Sequence, residues 1–594
     1  MYSRISLFLC SVVIVAVSFL YYPRFTKSTT ESVISWDVSG YYWYLPSILI
    51  YHDLKKQSFK DEILQKYKPT NLDFQQGVLL PNGNYVMKYS AGMSIMYLPF
   101  FLTANCIAKP LGYPNDGFSK PYQVSIQIGG VLISILGLWT LRRLLMFYFA
   151  DRVIAICLFL IACGTNYLNY AAIDSGMSHT WLFTLYSLLL YFTIRYYRES
   201  RLIFAVLIGL LVGLLTITRP TEIISCLIPV LWPLNRLSKS SIRQHLSFLF
   251  ENRFGIFISL FAAVAVMSIQ LIYWKYVTGE WLFYSYGSQG FYWTNPYLVK
   301  YSLNYRCGWL VYSPMMSLAV IAILPFILWG RNRVAIISFL LLFYYLVSAW
   351  DIWWYGGRAM IQSYPIFAFP LATMVHSITK HRIVKLTFNS LVFVLLYYNT
   401  WVLIQYHTGG LYDDNTMSKE FYWHAIGRWR VSEQSFSLLD CPDFYQKRTG
   451  GEKVLLQENF DTCSSCPLLP MAGKQKRMMV IGSKINGATP YYVIPIPSKD
   501  YNWLRAYINC SFSTKEVDIW KMSKMCIRVL EKGHIIKDNV FRFPRIMNEN
   551  ISKTVYVDMK LPSTKFDQIL FVVWNDQSEK EVYISDIKVT TFHD

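Results

Sequence analysis

The sequence predicts a polytopic α-helical membrane protein that ends in a β-rich domain, and three observations predict this fold class. Of the 594 residues, 54% are hydrophobic and only 15% are charged, whereas soluble domains carry roughly 25% charged residues. The apolar residues are concentrated in 1–408, while 409–594 has the composition of an ordinary polar domain. Aromatic residues make up 17% of the chain, which excludes intrinsic disorder. A compact water-soluble enzyme is excluded as well.

Eleven apolar windows in 1–408 are long enough for membrane helices, because a bilayer core of about 30 Å takes about 20 helical residues. The windows are 5–22, 123–141, 153–172, 178–194, 202–218, 220–235, 255–277, 311–330, 334–350, 359–378 and 384–404. The first window continues into Tyr-Tyr-Pro-Arg without a small-residue cleavage site. We therefore expect an uncleaved anchor rather than a signal peptide.

A further apolar stretch, 89–108, decides the topology through the positive-inside rule. If this stretch does not cross, the basic clusters of the short loops fall on one side together with Arg4. We therefore expect interfacial helices in a long first external loop, 23–122, a cytoplasmic N-terminus and an extracytoplasmic C-terminal domain in the plasma (inner) membrane. Much of the net charge of +20 is then an orientation signal. Without a long basic tract, the chain is not expected to bind nucleic acid.

The first external loop contains a lone carboxylate, Asp37, in a segment rich in aromatic residues that include Tyr41 and Tyr42. A low dielectric would raise the basicity of this carboxylate and make it a useful proton acceptor. The alternative is that Asp37 caps a helix that begins two or three residues later. The local residues leave both interpretations open.

A second polar group, Asp174 and His179, lies between two predicted spans on the same outer face. A carboxylate and an imidazole at a membrane edge suit metal binding or the orientation of a hydroxyl group. The alternative is a helix cap and a solvated histidine.

Three cations, Lys88, Arg219 and Arg358, also fall at the outer face, against the positive-inside bias. The planar guanidinium of arginine suits a phosphate group, and lysine provides a point charge for the same group. The alternative partners are Glu222, Asp351 or lipid headgroups. An aromatic loop at 278–310 is typical of a membrane–water boundary, although some of its rings are also suited to line a substrate groove.

Several of these features follow one another in a fixed order along 5–375. They are Asp37, the segment from Lys88-Tyr89 to Pro99, Leu141-Arg142-Arg143-Leu144, Asp174, the turn Thr218-Arg219-Pro220, and the segment from Arg358 to Pro365. In order and spacing they resemble the GT-C superfamily of membrane glycosyltransferases, near the protein mannosyltransferases and the lipid A aminoarabinose transferases.

This resemblance implies a sugar transfer from a polyprenyl-phosphate donor at the external membrane face, with inversion at the anomeric carbon. On that basis Asp37 is the general base, and Lys88, Arg219 and Arg358 hold the donor phosphate. Asp174 and His179 shape the acceptor or metal side, and Tyr41 and Tyr42 contribute to substrate binding. The implied partners are membrane lipid, the lipid-linked donor and a protein, lipid or glycan acceptor.

The chain departs from many relatives because Val38 follows Asp37 and Met87 precedes Lys88, where an acidic residue is common. A requirement for Mg²⁺ or Mn²⁺ is therefore left open, with Asp37 and Asp174 as candidate ligands. The alternative function is a transporter or flippase of lipid-linked saccharides, and a third is a non-catalytic membrane anchor for a glycan-binding tail. The absence of an obvious internal repeat favours the enzyme.

The tail, 409–594, has short strand-like stretches separated by turns, which predicts an antiparallel β-sandwich. The stretches are 453–457, 491–495, 504–511, 524–529, 554–559, 568–574 and 581–591. The opening Glu458-Asn459-Phe460-Asp461 and the closing Tyr583-Ile584-Ser585-Asp586-Ile587-Lys588-Val589 resemble the jelly-roll carbohydrate-binding modules, which implies acceptor binding.

Five cysteines lie in this tail, at 441, 463, 466, 510 and 526. In an oxidising compartment we expect Cys510 and Cys526 to form a disulfide. Cys463 and Cys466 form an isolated Cys-x-x-Cys pair, which lacks the βαβ context of a redox motif.

Overall fold

The computed structural model describes residues 1–70, 73–350, 353–378, 382–446, 451–460, 468–470, 477–498 and 500–593. The chain divides into a helical unit, Met1–His407, and a second unit, Thr408–Asp594, that is rich in β-strands. The Cys463–Cys466 pair and Asp351 lie outside the described residues.

The helical unit contains twenty α-helices in the described ranges, together with a small β-hairpin. Up to the aromatic loop they are α1 (Tyr2–Ala16), α2 (Trp36–Tyr42), α3 (Tyr44–Leu49), α4 (Lys60–Tyr67), α5 (Gly92–Ala108), α6 (Lys120–Leu145), α7 (Asp151–Gly164), α8 (Tyr167–Ala172), α9 (Ser178–Glu199), α10 (Leu202–Thr218), α11 (Leu227–Leu231), α12 (Lys239–Glu251) and α13 (Arg253–Thr278). After the loop follow α14 (Leu298–Leu303), α15 (Trp309–Tyr312), α16 (Met315–Ile321), α17 (Ile323–Trp329), α18 (Arg333–Ala349), α19 (Tyr364–Ile378) and α20 (Arg382–Ile404). The hairpin pairs β1 (Gly77–Leu79) with β2 (Tyr85–Met87).

The helical unit is a membrane body by the length and composition of its helices. Within the described part of the chain, four helices are long and apolar enough to cross a membrane: Tyr2–Thr26, Lys120–Leu145, Arg253–Thr278 and Arg382–Gly409. Shorter apolar helices accompany them. Large apolar side chains on α13 are exposed, which suits contact with lipid rather than water (Phe254, Phe257, Leu260 and Phe261).

Several predicted spans are broken rather than continuous, so the number eleven is not confirmed. The window 153–172 becomes α7 and α8, because the extended backbone at Thr165 ends the first helix. The window 311–330 is divided into three short helices around Pro314. The window 220–235 begins as a 3₁₀ helix, Pro220–Cys226, before it continues as α11.

Helices α10 and α13 approach each other closely at two glycines of α10. A Cβ atom at Gly209 would lie 2.0 Å from the carbonyl oxygen of Ser259, and one at Gly213 would lie 2.7 Å from that of Ala263. Small residues four apart allow backbones to pack at short distance in membrane helices. This packing matters for the site because α10 ends directly before Arg219.

We expect Gly209→Val to destabilise the helical unit by about 1–3 kcal/mol, because the new side chain must force α10 and α13 apart. Thermal unfolding of the purified protein in detergent, followed by tryptophan fluorescence, measures the change. The matched control is Leu210→Val, since Leu210 is 40% exposed on the same helix. An equal loss of stability in both variants would contradict the close packing at Gly209.

The second unit contains one short helix, α21 (Lys419–Ala425), and two antiparallel sheets. Its strands are β3 (Lys453–Asn459), β4 (Leu468–Pro470), β5 (Arg477–Ile481), β6 (Tyr492–Ile494), β7 (Trp503–Ser511), β8 (Lys524–Glu531), β9 (His534–Phe541), β10 (Lys553–Lys560), β11 (Gln568–Trp574) and β12 (Val582–Phe592). One sheet has the order β10-β7-β12-β5-β4, with β3 also paired to β12, and the other has the order β6-β11-β8-β9. Buried residues from both sheets form one apolar cluster. All seven predicted strands are confirmed.

The expected disulfide between Cys510 and Cys526 is wrong, because both cysteines are free and buried. Cys510 lies on β7 and belongs to the shared apolar cluster. Cys526 lies on β8 in the other sheet, where its neighbours Met525 and Ile527 face the cluster instead. Since side chains alternate along a strand, the two thiols occupy opposite sides of the β8 sheet.

Candidate functional site

Asp37 lies in the first turn of α2, where its neighbours hold the backbone in a defined position. Trp36 has a φ of 45°, a left-handed conformation that is costly for a residue other than glycine. Its amide donates to the carbonyl of Pro69 at 2.9 Å, and its own carbonyl accepts from Gln76 Nε2 at 2.8 Å. The N-cap of α2 is Ser35 and Asp37 lies inside the helix, so the alternative interpretation of Asp37 as a helix cap is wrong.

The Asp37 carboxylate makes two contacts outside its own helix. Tyr89 Oη donates to Oδ1 at 2.8 Å, and Arg358 Nη2 donates to Oδ2 at 2.6 Å in an ion pair. The Asp37 side chain is 25% exposed and that of Arg358 is 20% exposed. The carboxylate is therefore bound on both oxygens, and part of it remains accessible.

Two consecutive glycines bring Arg358 to Asp37. Gly356 and Gly357 have φ values of 59° and 58°, which only glycine adopts readily. Asn166 Nδ2 donates to the Gly356 carbonyl at 2.8 Å and holds this turn. The predicted span 359–378 is consequently preceded by a kink at these two glycines, and the 3₁₀ segment that follows them up to Ser363 begins at Arg358.

Lys88 follows β2 and is held by its backbone. Its amide donates to the carbonyl of Gln76 at 2.9 Å, and its carbonyl accepts from Ser285 Oγ at 2.6 Å. The ammonium group lies 5.8 Å from the ring centre of Tyr89 and 5.7 Å from that of Tyr286. In the described ranges it has no carboxylate within ion-pair distance.

Arg219 follows α10 and is half-buried. Gly92 of α5 packs against the backbone before it, since a Cβ atom at Gly92 would lie 2.6 Å from the Thr218 nitrogen. The guanidinium group is close enough to Tyr41, Arg358 and Tyr286 for electrostatic interaction. It makes no hydrogen bond or ion pair with any side chain that the structure describes. Arg219 is therefore in no ion pair with the described residues, although Asp37 and Glu222 interact with it electrostatically.

The three cations determine the ionisation of Asp37. Burial raises the pKa of the Asp37 carboxyl, but Arg358, the Tyr89 hydroxyl, Arg219 and Lys88 lower it by more. The result is a pKa below the ordinary value. The expectation that its surroundings make Asp37 more basic is thus wrong, because it considered the aromatic neighbours and not the cations.

The two predicted tyrosines of α2 have different positions. The hydroxyl of Tyr41 lies 3.5 Å from Ser178 Oγ, and its ring packs against Tyr89 with 4.6 Å between centroids. Tyr42 is fully buried and donates to the carbonyl of Gly117. Tyr41 therefore lies beside Asp37, whereas Tyr42 packs inside the first loop.

Asp174 and His179 belong to separate networks. Asp174 forms an ion pair with Arg24 and accepts from Asn169 Nδ2 at 2.8 Å. His179 is fully buried, with Nδ1 at 3.2 Å from Gln362 Oε1. Asp174 is thus paired with Arg24, which does not belong to the group around Asp37. His179 instead contacts Gln362, which follows Arg358 in the same segment.

The carboxylates that were candidate metal ligands do not fit a divalent cation such as Mg²⁺ or Mn²⁺. Asp37 is paired with Arg358 and Asp174 with Arg24, and two further cations lie beside Asp37. Among the described residues, no three His, Cys, Asp or Glu side chains gather in a way that could hold a metal ion. We therefore assign no catalytic step to a metal.

Three uncharged residues of the site were missed by the sequence reasoning: Tyr89, Gln76 and Gln362. Tyr89 directly follows Lys88, so its position in that motif was the one available signal. Gln76 and Gln362 are fully or almost fully buried amides without a motif of their own. Their roles depend on contacts with residues distant in sequence.

The chain matches no protein-family model and no curated protein sequence. Among solved structures, it is similar to the arabinosyltransferase EmbB from Mycobacterium smegmatis, with 10% sequence identity and a TM-score of 0.34. The match covers 84% of this chain and 63% of that chain, so the chain spans less than two thirds of EmbB's length. A TM-score of this size does not establish a shared fold, and the functional assignment rests on this chain's own residues.

Proposed function

We propose that this protein is an integral-membrane glycosyltransferase of the GT-C type. It transfers a sugar from a polyprenyl-phosphate donor to an acceptor on the extracytoplasmic side, with Asp37 as the general base. The observation that carries the proposal is one partly exposed carboxylate, Asp37, that is ion-paired with Arg358 and interacts electrostatically with Arg219 and Lys88. Arg219 and Lys88 form no ion pair among the described residues, so the group has positive charge available for an anion.

This arrangement supports a single displacement. The acceptor hydroxyl attacks the anomeric carbon and gives its proton to Asp37, while the bond from that carbon to the phosphate oxygen breaks. The leaving phosphate gains negative charge, which Lys88, Arg219 and Arg358 stabilise because they are already positioned. Attack opposite to the leaving group gives inversion.

The second unit supports acceptor binding. Two antiparallel sheets around one apolar cluster are compatible with the β-sandwich of carbohydrate-binding modules. We assign to it the binding of a glycan acceptor, and place it extracytoplasmically on the basis of the charge distribution of the loops.

A transfer assay with the purified full-length protein tests this function. Polyprenyl phosphates carrying labelled mannose, arabinose or 4-amino-4-deoxyarabinose are supplied with cell-envelope acceptors, and label in the acceptor is measured. Transfer that depends on the protein and on Asp37 is expected. Donor binding without transfer to any acceptor, together with movement of donor across reconstituted vesicles, would instead support a transporter.

The pH dependence of transfer should reflect the lowered pKa of Asp37. The base acts as a carboxylate, so kcat/KM is expected to stay constant from neutral pH down through pH about 5 and to fall only as the pH approaches the lowered pKa. Tyr89→Phe removes a hydrogen bond that lowers this pKa, and the acidic limb should therefore move to higher pH. Tyr41→Phe is the control, because the Tyr41 ring contacts Tyr89 without a hydrogen bond to Asp37. A limb that moves equally in both variants would exclude Asp37 as its origin.

A further inference from the structure

A buried chain of hydrogen bonds ends at His179. Tyr186 donates to one oxygen of Glu222, and Gln362 Nε2 donates to the other oxygen at 2.5 Å. The remaining amide atom, Gln362 Oε1, lies 3.2 Å from His179 Nδ1. All four side chains are fully or almost fully buried. Because Gln362 gives its N–H to a carboxylate, its oxygen is left to accept, which places the imidazole proton on Nδ1.

This tautomer makes the other ring nitrogen, Nε2, an acceptor. Nε2 of His179 is buried and has no hydrogen-bond partner in the part of the chain that the structure describes. Buried polar atoms in native proteins are nearly always bonded, so an orphaned one indicates a missing partner. The missing partner must be a donor, such as a hydroxyl group.

His179 lies next to the proposed donor site. Arg219 and Arg358 are close enough to interact with it electrostatically. Its neighbour Ser178 contacts Tyr41, which is one turn after Asp37 on α2. With its proton on Nδ1, the ring presents an acceptor at Nε2 and is not a phosphate-binding cation. A phosphate oxygen can only accept, whereas a sugar hydroxyl can donate.

We propose that His179 Nε2 accepts a hydrogen bond from one hydroxyl of the donor sugar, so that His179 selects the sugar while the cations bind the phosphate. Glu222 and Gln362 are positioning residues that hold the acceptor tautomer. This inference rests on the proposed function. A site built to bond a substrate hydroxyl discriminates strongly against an analogue that lacks it, because its own buried group is then unpaired.

Equilibrium binding to the purified full-length protein tests the proposal. The probes are a short-chain polyprenyl phosphate alone, the same carrier with mannose, arabinose or 4-amino-4-deoxyarabinose, and monodeoxy analogues of the best-bound sugar. The wild type should bind one monodeoxy analogue about tenfold more weakly than the parent donor. His179→Leu should bind both equally and retain its affinity for the carrier alone.

Two further variants separate selection from structural support. His179→Gln keeps an acceptor near the Nε2 position and should retain part of the discrimination. Gln362→Leu removes the acceptor that holds the imidazole proton on Nδ1. It should therefore weaken the discrimination between sugars without removing affinity for the carrier. If His179→Leu does not fold, unchanged discrimination in Gln362→Leu overturns the proposal.

The outcomes distinguish the inference from the function on which it rests. If the wild type does not bind the carrier phosphate, the proposed function fails. If it binds the carrier but no sugar increases the affinity, or if His179→Leu discriminates as the wild type does, the role of His179 is overturned and the function stands.

Discussion

Replacing Asp37 with asparagine is expected to lower kcat for sugar transfer by about 10²–10⁴-fold, the usual contribution of a general base. Asparagine has nearly the same shape but cannot take the proton of the acceptor hydroxyl. The KM for the donor should not rise, because Arg358 loses its internal counter-ion and becomes available to the donor phosphate. Steady-state kinetics with varied donor concentration measures both parameters.

The matched control for this variant is Asp116→Asn. Asp116 belongs to the same loop, is ion-paired with Lys66 at 2.9 Å and accepts from Tyr67, but lies among residues of the loop interior. We expect it to change stability and leave kcat close to that of the wild type. An Asp37→Asn variant that retains transfer within about tenfold of the wild type would exclude Asp37 as the base.

Arg219→Met is expected to reduce kcat/KM by about 10²–10³-fold, because one of the positioned charges at the leaving phosphate is lost. Its thermal stability should stay the same or increase, since the substitution removes a half-buried charge that forms no hydrogen bond or ion pair in the described structure. This opposite response of activity and stability is typical of a residue retained for function. Transfer kinetics and thermal unfolding on one preparation measure the two effects.

Arg24→Met provides the comparison, because Arg24 is also largely buried but forms an ion pair with Asp174. Removing one member of such a pair leaves the other unpaired, so we expect the stability to fall. If Arg219→Met destabilises the protein as much as Arg24→Met and retains donor binding, Arg219 has a structural role.

The parts of the fold that sequence reasoning predicts well are those with continuous patterns. The windows 123–141, 255–277 and 384–404 fall within α6, α13 and α20, and 334–350 runs one residue past the end of α18, because long apolar runs leave few alternatives. Some windows contain a single proline or polar residue, such as Thr165, at which the helix ends. Whether the helix is interrupted there depends on tertiary contacts, which the sequence pattern does not show. Three strands of the tail were missed, β4, β5 and β9, and β9 is an edge strand whose exposed residues resemble a loop.

The candidate site divides in a similar way. Lys88, Arg219 and Arg358 stand out in the sequence because they oppose the charge bias of the loops, and the structure brings all three towards Asp37. The pairing of Asp174 with Arg24 could not be anticipated, since 150 residues separate them and Arg24 follows the first helix.

Gln76 has a consequence for how the donor enters the site. Its side chain bonds the carbonyl directly before Asp37, and its own carbonyl bonds the amide of Lys88. The base and the lysine therefore share one support and move together. Arg358 and Arg219 belong to other parts of the chain, after a double-glycine turn and at the end of α10. The Asp37–Arg358 ion pair joins these separate supports, so a donor phosphate that binds Arg358 competes with Asp37 for its guanidinium group.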